Sequence, residues 1–167
     1  MAFDRSTTLR DISLNATTPE DYTNAFFAQI GSVITSQYLG YSELKSYDTK
    51  KCAAKCDKID ECMAINIYFE RTPTIYLAEE CPDAPSMTVI KCVFWGKEIR
   101  RNDIFNWGRK DWEFDIVMAG SNGYNKLEST SRREITTYRL LGNASRMVPG
   151  VAMLGTLVLA MVAAAFL

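Results

Sequence analysis

Cysteine is the residue with most chemistry to offer in this chain. The run Cys52-x3-Cys56-x5-Cys62 is followed by Cys81 and Cys92. Thiols at such positions serve as zinc ligands, as nucleophiles or as disulfide partners. A zinc site built on this spacing would need a second close pair or a histidine, and a cysteine nucleophile would need a histidine base. The chain has no histidine. Ser-His-Asp hydrolysis is excluded for the same reason. Disulfides are the better account, and they belong to an oxidising compartment. A second set, Asp111, Glu113 and Asp115, alternates along a predicted strand and so shares one face. Carboxylates so placed act as paired acid and base or bind calcium. A solvated strand face explains them equally well, and no glycine-containing calcium loop accompanies them. The expectation is therefore no catalysis, no metal and no cofactor.

A third set combines aromatic planes with amide and charged groups, as sugar or peptide sites do: Asn66, Tyr68, Glu70, Arg71, Lys91 and Trp95. They sit on the faces opposite the predicted cysteine-bearing core. Tyr68 and Trp95 would serve equally to cover the second side of a sheet beneath the segment 22–40. Trp107 and Trp112 carry the same two readings.

Elements must position these groups. Asp48 is a good N-cap, and a helix from Thr49 carries Cys52, Cys56 and Ile59 on one stripe at i, i+4, i+7. Residues 63–69 alternate with period two, burying Met63, Ile65, Ile67 and Phe69 and presenting Ala64, Asn66 and Tyr68 opposite. A proline-bearing loop, 71–86, holds Cys81. In the next strand, 88–95, Ile90, Cys92 and Phe94 share a face, and Val89, Lys91, Val93 and Trp95 share the other. A cysteine on the helix can then reach Cys92. A third strand covers 112–118 and ends in the turn 119–124. The segment 25–39 mixes helical and strand spacing and fits one helix or two short strands. Residues 39–41 read as a strand kinked at Gly40.

The chain of 167 residues is 47% hydrophobic and sets 19 Lys and Arg against 20 Asp and Glu, for a formal net charge of -1. That length suits one domain. Without a basic run, it lacks the electrostatic footprint of a nucleic-acid binder. Residues 1–21 read as a poorly ordered leader, 22–124 as the domain and 125–146 as a polar stalk. The segment 147–167 carries no charge. At about 1.5 Å per residue it reaches across a bilayer core of about 30 Å. It is expected to attach the protein to a membrane, as a retained tail helix or as the signal for a GPI anchor. Residues 1–6 offer no apolar signal region, so a secretory leader is expected upstream. Asn15-Ala16-Thr17 and Asn143-Ala144-Ser145 are glycosylation sequons.

Three stretches carry a family likeness: 47–56 around Cys52 and Cys56, 62–71 from Cys62 to Arg71, and 90–96 around Cys92. With the ending 117–124, they resemble the PAN/Apple domain, in the version found in fungal extracellular, fruit-body-specific-like proteins. The resemblance implies an α+β fold with one short helix packed on a small antiparallel sheet. It also implies disulfides Cys52–Cys92 and Cys56–Cys62, which leave Cys81 unpaired or free to link two copies into a covalent homodimer. Such domains bind carbohydrates or proteins and do no chemistry. Together with the tail, this places the expected protein on the extracellular face of the plasma membrane or in the cell wall. Two rival expectations are a structural surface protein crosslinked through Cys81 and a tail-anchored protein with reduced cysteines.

Overall fold

The computed structural model describes residues 3–127. The tail 147–167, Asn143 and all of the expected stalk beyond 127 lie outside them. Among the described residues no helix is long and apolar enough to cross a membrane. The elements are α1 (Thr7–Leu14), β1 (Tyr22–Gln29), β2 (Ser32–Val33), β3 (Tyr38–Leu44), α2 (Thr49–Cys56), β4 (Ala64–Pro73), β5 (Ser86–Trp95), β6 (Ile104–Asn106), β7 (Arg109–Asp111) and β8 (Phe114–Lys126). They make an α+β fold. An antiparallel sheet runs in the order β1-β8-β4-β5-β3, β7 pairs with β8, and β2 and β6 form a separate ribbon.

The helix α2 starts where its cap dictates: the Asp48 carboxylate accepts the Lys51 backbone N–H at 2.9 Å. Its Cys52, Ala53 and Cys56 meet Ile65, Ile67, Cys92, Phe94 and Tyr124 of the sheet in one buried cluster. Within that cluster Cys52 bonds Cys92 and Cys56 bonds Cys62. The first bridge ties helix to sheet and the second closes the short turn after the helix. The opposite face of the sheet is also dry. Phe26, Val33, Ile99 and Ile104 cover Ala64, Tyr68, Val93, Trp95 and Met118.

That second cover corrects the reading of 63–69. The alternation separates two cores, so Ala64, Asn66 and Tyr68 are as buried as Ile65 and Ile67. Met63, expected inside, lies one residue ahead of β4 at the end of the sheet and is exposed. The ambiguous segment 25–39 resolves into strands. Loop 71–86 is shorter than expected, because Arg71–Pro73 and Ser86–Thr88 extend the β4–β5 ladder. Its remainder folds Leu77 and Ala84 onto Phe114 and Ile116 as a small third cluster.

The expected poorly ordered leader carries a helix within its described residues 3–21. Thr7 and Thr8 are weak helix formers, and propensity alone would not produce α1. Packing does so instead. Ser6 caps the helix by accepting the Leu9 N–H, Ser13 is buried, and the Asn122 amide donates to the Ser13 carbonyl at 2.8 Å. Gly120, at φ +57, lets the helix approach: a Cβ there would come within 2.8 Å of the Leu9 carbonyl oxygen. At the other boundary, β8 pairs with β1 as far as Lys126. The folded unit therefore includes the first residues assigned to the stalk.

Candidate functional site

The three carboxylates of the catalytic alternative do not share a face. Asp111 ends β7 opposite Phe114, Glu113 sits in the turn, and Asp115 lies on β8 opposite Lys110. Trp112, at φ +54, turns the chain between them. The chain reverses where the alternation was read as one continuous strand, and Asp111 and Asp115 then point to opposite sides of the ribbon. Among the described residues no group of three or more Cys, Asp or Glu could hold a metal ion.

The polar and aromatic set divides. Asn66 is fully buried. Its carbonyl oxygen accepts the Val33 N–H at 3.0 Å, and its amide donates to the Ser121 hydroxyl at 2.8 Å and the Asn122 carbonyl at 2.9 Å. The first bond holds β2 to the sheet, and the other two tie β4 to its neighbour β8. Arg71 lies elsewhere, its guanidinium 3.9 Å from the centre of the Phe114 ring and donating to the Asp115 carbonyl at 2.6 Å. Tyr68, Lys91 and Trp95 come together. They line a cleft of about 260 Å³ with Ser32, Ile34, Tyr38, Tyr41, Val93 and Asn106. Glu70 reaches the same place through an ion pair with Lys91 at 2.6 Å.

The cleft owes two of its walls to a bulge. Tyr38 pairs with Trp95 and Tyr41 with Val93, although two residues lie between the tyrosines and one between their partners. The extra residue is accommodated at Gly40, at φ +107. Both tyrosines therefore stand on the face that carries Trp95 and Val93. A period-two count puts them on opposite faces, which is why sequence reasoning missed them. Gly40 was the available signal. Ser32 and Asn106 were missed as well, because the ribbon that joins them pairs residues far apart in the chain. The Asn106 amide donates to the Ser32 hydroxyl at 2.9 Å.

The electrostatics are close to balanced. Lys91 and Glu70 neutralise each other with side chains only 20% and 8% exposed. The exposed Glu43 lies directly across the ladder from Lys91. The Lys91 ammonium also stands 5.0 Å from the centre of the Tyr41 ring. Burial, with a smaller contribution from the Glu70 charge, pushes the Tyr68 phenol far above its ordinary range, and a hydrogen bond with Ser32 opposes the shift. Tyr68 thus stays neutral at any physiological pH. Trp95 is 4% exposed, and its indole N–H has no hydrogen-bond partner among the described residues. Buried donors are nearly always paired.

Cys81 is the free cysteine, half-buried against the Phe114 cluster. Asn15 is exposed at the C-cap of α1, its amide donating to the Asp11 carbonyl. Oxidised protein is expected to show a single reactive thiol at Cys81, labelled more slowly than an unstructured thiol because its access is partial. Mass spectrometry of alkylated peptides, with and without reductant, checks this. Labelling of Cys52, Cys56, Cys62 or Cys92 before reduction contradicts it. No family model matches the chain, nor does any curated protein or solved structure.

Proposed function

We propose that this chain is a non-catalytic recognition domain of the PAN/Apple kind, which binds a carbohydrate or protein ligand outside the cell. The observation that carries the reading is the cleft beside β3. It sets aromatic walls around a few polar groups, the usual composition of a binding site. The two disulfides favour an oxidising compartment. The uncharged stretch 147–167 supports attachment to the plasma membrane or cell wall through the C-terminal tail, with the domain on the outer face. Asn15 and Asn143 are the expected glycosylation sites.

The test displays the full chain on a secreting eukaryotic cell and probes it with glycan and protein arrays. A ligand is expected whose signal falls at least about tenfold in Tyr41→Ala, a loss of about 1.4 kcal/mol. Tyr41 is half exposed, so its truncation leaves the folded core in place. A ligand bound equally well by the variant removes the cleft from the function. Retention of the domain in the cytosol with five reactive thiols removes the extracellular placement.

A further inference from the structure

The chemistry of the cleft narrows its ligand, on the reading that the cleft is the recognition site. Its volume of about 260 Å³ lies just below the range of about 300–1,000 Å³ typical of drug-sized ligands. One small ring fits better than a chain of residues. Tyr38 and Tyr41 stand at the mouth, 55% and 51% exposed, and offer flat apolar surfaces. The polar groups nearby both donate and accept: the Lys91 ammonium, the Glu70 carboxylate and the Asn106 amide. A molecule with one apolar face and a rim of hydroxyls matches both features.

Charge narrows the class further. An anionic ligand needs a free cation, and Lys91 is already held by Glu70, with Glu43 beside it. A cationic ligand would have to displace Lys91 from that carboxylate. The site therefore favours an uncharged ligand whose hydroxyls join the existing ion pair. The unpaired indole N–H of Trp95 is a second, independent sign. It has no partner among the described residues and is closed off from the surface, so an acceptor oxygen on the ligand would pair with it once Tyr38 moves. Tyr38 packs edge-on against that indole, with ring centres 5.5 Å apart. Being half exposed, it can turn aside at little cost.

We propose that the cleft binds a single uncharged pyranose, one apolar face against Tyr41, its hydroxyls on the Lys91–Glu70 pair and Asn106, and one oxygen accepting from the Trp95 indole N–H. An extended peptide added to β3, the edge strand of the sheet, is the competing occupant.

Proton–nitrogen NMR spectra of the oxidised full chain in detergent micelles test this. The probes are the methyl glycosides of glucose, galactose, mannose and N-acetylglucosamine, with methyl glucuronide and an Ala-Ser hexapeptide as comparators. At least one neutral glycoside is expected to bind with Kd on the order of 1 mM. It should shift the Trp95 indole N–H and leave those of Trp107 and Trp112 in place, with assignments made from Trp107→Phe and Trp112→Phe. Tyr41→Ala should weaken it at least about tenfold. Tighter binding of the glucuronide overturns the uncharged class. A shift of the Trp95 signal by the hexapeptide and by no sugar overturns the pyranose and leaves the cleft as the recognition site. A sugar that binds without moving that signal, or that binds Tyr41→Ala equally, overturns the cleft itself. Silence of the Trp95 signal to every probe overturns both.

Discussion

Replacing Cys52 and Cys92 together by alanine is expected to lower the unfolding free energy by about 4 kcal/mol, and replacing Cys56 and Cys62 by about 2 kcal/mol. The difference follows from what each bridge denies the unfolded chain. Cys52 and Cys92 are 40 residues apart in sequence, whereas Cys56 and Cys62 are only 6 apart. Loop-closure entropy grows with the logarithm of loop length. Both bridges lie in the same cluster beneath α2, so loss of packing adds a similar amount to each. Denaturant melts of the two double variants, compared at constant slope, measure the difference. Equal losses, or a larger loss for the short loop, would show that the native contacts of the sulfurs outweigh chain entropy.

The longer bridge also matters to the cleft. Cys92 lies on β5 between Lys91 and Val93, which share the face of Trp95, and points to the opposite face. Bonding Cys92 to α2 on one face fixes the height of Lys91 and Trp95 on the other. The recognition surface is thus held from behind by the helix. Loss of this bridge should loosen the cleft before it unfolds the domain, which the Trp95 indole signal would register as line broadening.

How far the sequence foretold this arrangement depends on which interactions decide each element. α2 and β5 were legible because their signals are local: a capping aspartate, a cysteine stripe at helical spacing and strict alternation. α1 was not legible, because several of its residues are weak helix formers and its packing on β8 and β1 comes from distant parts of the chain. The bulge at Gly40 hid Tyr38 and Tyr41, since one extra residue inverts every later side chain on the strand. The tight turn at Trp112 hid the separation of Asp111 from Asp115. Tyr68, Lys91 and Trp95 were placed on the correct side of the sheet. That side proved to be largely covered, with a gap left open beside β3. Covering chains come from distant parts of the sequence, and a single strand's pattern carries no trace of them.

Asn66→Ala is expected to cost about 3–5 kcal/mol and to leave no soluble recognition defect separable from stability. The side chain is inaccessible, and its three hydrogen bonds reach the Val33 N–H, the Ser121 hydroxyl and the Asn122 carbonyl. Truncation strands those groups away from water, at about 1–3 kcal/mol for each one left unpaired. Val33 is the critical partner, since it belongs to the two-residue strand that pairs with Ile104. Release of Val33 would free the ribbon that carries Ser32 and Asn106 to the cleft. Asn66→Asp separates this account from one in which Asn66 touches ligand. It retains the acceptor for Val33 but buries a charge and loses the donor, so it too should destabilise by several kcal/mol unless protonated. Chemical denaturation of both variants, with ligand binding measured well below each transition, decides the matter. A variant of normal stability that fails to bind would return Asn66 to the ligand-contacting set, whereas a destabilised variant that still binds while folded assigns it wholly to the scaffold.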